Sequence, residues 1–92
     1  MSEGVYIMSV ASRLVGMHPQ TLRKYERAGL LMPGRTNNLR FYSDEDITRL
    51  TLIKELVACG LGIPGIRLVL ELQRRSGMTS PELTSIAQSL KK

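Results

Sequence analysis

Apolar residues recur at helical spacing along most of this chain, and glycines close each run. Glycines stand at 16, 29, 60 and 77, each just behind a helix-like segment, where a left-handed C-terminal cap is wanted. Start signals precede the same segments. Ser9 is placed to cap a short helix over Val10 to Val15, and Pro19 sits as the first residue of a second helix running to about Ala28, where its missing N–H costs nothing. Ser43 is placed to cap a third, with Asp44, Glu45 and Asp46 in its first turn, followed by Ile47, Leu50, Ile53 and Val57 at helical spacing. A fourth helix is expected over Ile63 to Ser76, with Pro64 tolerated in its first turn. A fifth begins after Ser80 with Pro81 first, and Leu83, Ile86, Ala87 and Leu90 form one apolar stripe.

The stretch from Leu30 to Tyr42 breaks this rhythm. Pro33, Gly34, Asn37 and Asn38 are turn formers, and the residues from Leu39 to Tyr42 alternate. A short β-hairpin follows, with Asn37-Asn38 at its tip, where positive φ is least costly for a non-glycine residue. Tyr6 to Met8 adds a small strand. The first two helices are separated only by Met17 and His18 after Gly16, so they must cross steeply as a helix-turn-helix. The fold class is therefore mainly α. It is a winged helix-turn-helix with two further helices over residues 1–76, followed by a short C-terminal dimerisation or lid helix over residues 80–92.

Charge turns this architecture into a functional expectation. Residues 13–42 carry six basic side chains against the single acid Glu26, a net +5 that equals the charge of the whole 92-residue chain. Such a localised excess, interleaved with Tyr25, Phe41 and Tyr42, suits a polyanion, and double-stranded DNA is the first candidate. Solvation alone would mix the signs. In a helix-turn-helix the second helix enters the major groove N-terminal end first. Here that end offers His18, Gln20, Thr21, Arg23 and Lys24, with Arg27 further along. Gln reads adenine and Arg reads guanine bidentately. Arg35, Asn37, Asn38 and Arg40 on the hairpin would reach the flanking backbone or minor groove. Leu22 is the expected core anchor of the second helix.

The run Thr21-Leu22-Arg23-Lys24-Tyr25-Glu26-Arg27-Ala28-Gly29-Leu30-Leu31, then Pro33, Arg35 and Thr36, then Arg40-Phe41-Tyr42-Ser43-Asp44-Glu45-Asp46, then Arg49-Leu50, resembles the MerR family of bacterial transcription regulators over roughly residues 6–72. Ser9-Val10-Ala11 and Gly16-Met17-His18-Pro19-Gln20-Thr21 most resemble its heat-shock repressor branch. The resemblance implies a homodimer on a dyad operator, Arg23 on DNA, Tyr25 and Tyr42 holding phosphates, and Arg40 anchoring the wing. Gly62-Ile63-Pro64-Gly65 departs from the family's usual Ser-Leu-Glu-Glu and weakens the cap of the fourth helix. The C-terminal stripe is also short, about 18 Å of helix, so dimerisation assisted by DNA is the expectation. Packing of that stripe back on the third and fourth helices is the alternative. With no effector domain in view, control by abundance or by a regulatory protein partner is favoured over small-molecule sensing.

Other side chains take plainer readings. Phe41 is expected in the core. Tyr25 and Tyr42 are expected to pack their rings and turn their hydroxyls outward. His18 is a turn or cap residue, or a base or phosphate contact. Glu26 is expected to orient an arginine through an ion pair, and the lone Cys59 to be buried packing. No paired acid–base residues, phosphate loop, metal cluster or cofactor motif is present, so neither an enzyme nor a cofactor is expected. The most apolar run, Leu56 to Ile66, falls well short of the roughly 18 residues of a membrane span. A bacterial cytoplasmic protein, on the nucleoid when bound, is the resulting expectation. An architectural binder of the excisionase type is the alternative function.

Overall fold

The computed structural model describes residues 4–37 and 39–90, with the side chains of Ser80, Thr84, Ala87 and Leu90 outside that description. Its elements run β1 (Val5–Ile7), α1 (Met8–Val15), α2 (Pro19–Arg27), β2 (Gly34–Thr36), β3 (Leu39–Ser43), α3 (Asp44–Ala58), α4 (Ile63–Ser76) and α5 (Ser80–Leu90). They gather into two compact units, one ending at Arg49 and one beginning at Leu50.

In the first unit, α1 and α2 form the helix-turn-helix. Gly16 at φ 69° closes α1, with its own N–H on the Arg13 carbonyl and the Met17 N–H on the Ser12 carbonyl. This is the paired bonding of a Schellman cap, which only a left-handed residue completes cheaply. The Ser12 hydroxyl also donates to the Met17 carbonyl, pinning the turn. Gly29, at φ 80°, ends α2 in the same way, with bonds from Gly29 to Glu26 and from Leu30 to Tyr25. One boundary differs from expectation. The chain passes from β1 into helix at Met8 with Ile7 as an extended N-cap, so Ser9 lies inside the first turn and caps nothing.

The sheet order is β1-β3-β2, antiparallel throughout. The hairpin turns at Asn37, at φ 52°. Its register pairs Tyr6 with Tyr42 and Arg35 with Arg40 on one face. Val5, Ile7, Leu39 and Phe41 fall on the other, since alternate residues share a face. Tyr42 is fully buried, whereas Phe41 is only half-buried and Val5, Ile7 and Leu39 are exposed. The expectation that Phe41 is the core aromatic is therefore corrected: the inward face is the one carrying the tyrosines. The core of this unit is Ala11, Val15, Leu22, Tyr25, Leu30, Leu31 and Tyr42. Asp44 ties down the N-terminal strand, accepting bonds from the Gly4 N–H at 2.6 Å and the Tyr6 hydroxyl at 2.7 Å.

Ser43 caps α3 as expected, and the bond is reciprocal. The Asp46 N–H donates to Ser43 Oγ (3.1 Å) and the Ser43 N–H to Asp46 Oδ2 (2.9 Å), a capping-box arrangement built with Asp. The second unit buries Leu50, Leu52, Ile53 and Leu56 of α3 and Ile66 and Leu70 of α4. Val57 is exposed, so the buried stripe of α3 runs through Leu52 and Leu56 instead. Cys59 is half-buried, not buried as expected, because it lies beyond the end of α3, where the chain turns through Gly60. The cap of α5 lies one residue earlier than expected. Thr79 and Glu82 bond reciprocally, N–H to Oε1 at 2.7 Å and N–H to Oγ1 at 3.3 Å. Gln88 reaches Glu55 at 3.3 Å.

Candidate nucleic-acid interface

The surface of interest begins at the N-terminus of α2. His18 is its N-cap, extended at φ −66° and ψ 145°, and its Nδ1 accepts the Gln20 N–H at 3.0 Å. Of the two roles left open for His18, the structure supplies the cap. Pro19 follows at the first helical position, where no donor is lost. The helix buries Leu22 and Tyr25. Gln20, Lys24 and Arg27 then lie at i, i+4 and i+7, one exposed stripe, with Thr21 and Arg23 half-buried beside it. Lys24 Nζ stands 5.9 Å from the Tyr25 ring centroid, at the limit of a cation–π contact.

The wing arginines are held by the one acid of this surface. Glu26 accepts from Arg35 at 2.5 Å and from Arg40 Nε at 2.8 Å. Desolvation pushes its carboxyl up, but the two arginine hydrogen bonds and charges outweigh that and hold it below the ordinary range. The expected role of Glu26 as an orienter thus covers two arginines. Asn37 is exposed at the hairpin tip, and Asn38 lies outside the described residues. The Arg49 guanidinium reaches the Leu30 carbonyl at 3.5 Å, a tie that no spacing rule in the sequence announces.

One of the two tyrosines requires correction. Tyr42 is not turned outward: its hydroxyl is fully buried and has no hydrogen-bond partner among the described residues. Burial raises its pKa, and the nearby Glu26 charge raises it further. Tyr25 is also buried, with its hydroxyl pKa raised by desolvation. Tyr42 lies on the inward sheet face, which alternation alone could not reveal. Of the C-terminal stripe, Leu83 is half-buried and Ile86 exposed, while the side chains of Ala87 and Leu90 lie outside the description. Among the described residues, no cluster of His, Cys, Asp and Glu is arranged to hold a metal, and no helix is long and apolar enough to cross a membrane.

Two helices in a tight turn, a two-stranded wing and further helices make this a winged helix-turn-helix domain. Its relatives fix the family. The model of the MerR helix-turn-helix regulatory proteins matches residues 6–73. The chain is 39% identical over 88 residues to a Streptomyces coelicolor protein designated heat shock protein HspR, covering 94% of this chain and 58% of that protein. It is 31% identical over 78 residues to a helix-turn-helix type transcriptional regulator of Synechocystis, covering 83% of this chain and 57% of that one. The fold matches HiNmlR, a MerR family regulator lacking the sensor domain and solved bound to promoter DNA. There the TM-score is 0.76 and the identity 27%, over 95% of this chain and 67% of that one. A Ralstonia metallidurans transcription regulator solved with lead(II) matches at a TM-score of 0.69 and 26% identity, over 89% of this chain and 65% of that one. The chain belongs to the MerR family. It spans under three-fifths of the length of the Streptomyces and Synechocystis relatives.

Proposed function

We propose that this chain binds duplex DNA sequence-specifically as a MerR-type transcription regulator, with α2 in the major groove and the β2–β3 wing on the backbone. The observation that carries this is the exposed Gln20, Lys24, Arg27 stripe beside Arg23, within the third of the chain that holds the whole net charge. Gln20, Thr21 and Arg23 would read bases. Lys24, Arg27, Arg35, Arg40, Asn37 and the tip residue Asn38 would position the protein on phosphates. His18 contributes by fixing the start of the reading helix. The HiNmlR complex with promoter DNA supports the same partner here. Three helices beyond the wing support the regulator over an architectural excisionase-type binder.

A dyad operator read by a homodimer fits best. Leu68 and Leu72 lie one turn apart on the exposed side of α4, and Ile86 is exposed on α5, apolar surface that a second protomer would cover. The Leu83, Ile86, Ala87, Leu90 stripe would contribute to that contact, strengthened when DNA brings two protomers together. A regulatory protein partner would act on the same dimer. Such a target places the chain in the bacterial cytoplasm, on the nucleoid when bound. The likeness to the heat-shock branch supports repression as the mode. Titrating a labelled duplex over a range of salt tests the electrostatic part. Log K should fall by about 0.9 per phosphate neutralised for each unit of log salt, and a salt-independent affinity would refute it.

A further inference from the structure

Arg35 and Arg40 face each other directly across the hairpin, on the same sheet face. Like charges so placed repel and would open the two strands. Glu26 stands against both, its Oε2 on Arg35 and its Oε1 on Arg40, and its side chain is only 11% exposed. The Arg40 side chain is 28% exposed and that of Arg35 59%, so both side chains keep solvent-facing surface while paired. The carboxylate sits on the last turn of α2 and the arginines on the two strands of the wing, so this is the direct polar tie between reading helix and wing.

We propose, resting on the DNA-binding reading above, that Glu26 is the positioning residue of the wing: by clamping this opposed arginine pair to α2 it increases DNA affinity, although it is an acid within a basic surface. Simple charge counting gives the opposite sign, because removing an anion beside a polyanion site should tighten binding. One carboxylate between two guanidinium groups leaves the trio at a net positive charge, so the opposed pair repels less while the wing stays basic.

The test uses the whole chain and a fluorescein-labelled duplex of mixed sequence, with affinity measured across salt concentrations. E26Q raises the net charge by one, yet it should bind more weakly by about threefold or more at every salt concentration, the lower range of energies for coupled pairs. R40K keeps the charge but loses the Nε bond, and should weaken binding similarly with an unchanged salt slope. Should E26Q fail to fold, hydrogen exchange on free R40K decides: the lost Nε bond should speed exchange in residues 34–43, and unchanged wing exchange overturns the proposal. Amide hydrogen exchange on the free proteins provides the readout that a general loss of stability would not mimic. E26Q should speed exchange in residues 34–43 while leaving α1 and α2 as they were. Binding by E26Q or R40K as tight as the parent, or unchanged wing exchange in E26Q, overturns the proposal. If the parent chain binds no duplex, the DNA reading fails by itself, and the wing exchange still decides the clamp.

Discussion

Tyr42 illustrates how one residue's setting decides its chemistry. Its ring fills the core beneath the sheet, and its hydroxyl has no partner among the described residues. A buried, unmatched hydroxyl costs about 1–3 kcal/mol. Y42F should therefore be at least as stable as the parent, and its thermal midpoint should not fall. A loss of more than about 1 kcal/mol would mean the hydroxyl makes a bond that the structure lacks. His18 poses the complementary case. As an N-cap acceptor it is worth about 1 kcal/mol, so H18A should lose about that much in urea denaturation while H18S, which also caps, should keep most of it. If serine is as damaging as alanine, capping is not what the imidazole supplies.

At the scale of elements, most helix ends were legible because single residues set them. Pro19 opens α2, Ser43 opens α3, and the four left-handed glycines close α1 to α4 at Gly16, Gly29, Gly60 and Gly77. G77A should cost about 1 kcal/mol through its φ of 75° alone, since a Cβ there meets nothing within 4 Å. What the pattern could not show was which sheet face turns inward. Alternation separates Phe41 from Tyr42 but is silent on direction; the residue buried on the inward face is Tyr42, while Arg35 on the same face stays exposed. The start of α1 was misplaced for a related reason, as backbone geometry at Ile7 does the work sought from Ser9. Ion pairs and hydrogen bonds to carboxylates also set the pH response. Glu26, Asp44, Glu71 and Glu82 all ionise below their ordinary range. Bonds from Arg74 and Arg75 take Glu71 to about 2. Groups with depressed folded pKa values contribute stability that is fully present above the ordinary carboxylate range and lost as pH falls through the folded values. The urea midpoint should thus decline steadily from about pH 4.5 towards pH 2. A midpoint that rises on acidification over that window would contradict these assignments.

Across the whole molecule, a first unit that holds the basic stretch of residues 13–42 is followed by a second with exposed apolar surface at Leu68, Leu72 and Ile86. Three turns of α5 are marginal alone in water, so the Leu83 to Leu90 stripe needs a partner. If that partner is the same helix of a second protomer, L83D combined with L90D should sediment as a monomer. It should also lose far more affinity for a dyad duplex than for a half-site. A parent chain that is monomeric both free and on DNA, and binds both duplexes equally, would reduce the stripe to a lid on its own core. If α2 reads bases as proposed, R23A should cost about 1–3 kcal/mol of binding and relax preference at one base pair. The most direct measurement is selection from a randomised duplex pool, with the parent chain and a Q20A/R23A variant side by side. The parent should enrich a dyad motif, and the variant should keep salt-dependent binding while losing that enrichment. No enriched motif with the parent, or the same motif enriched by both proteins, would contradict the claim that α2 reads the sequence.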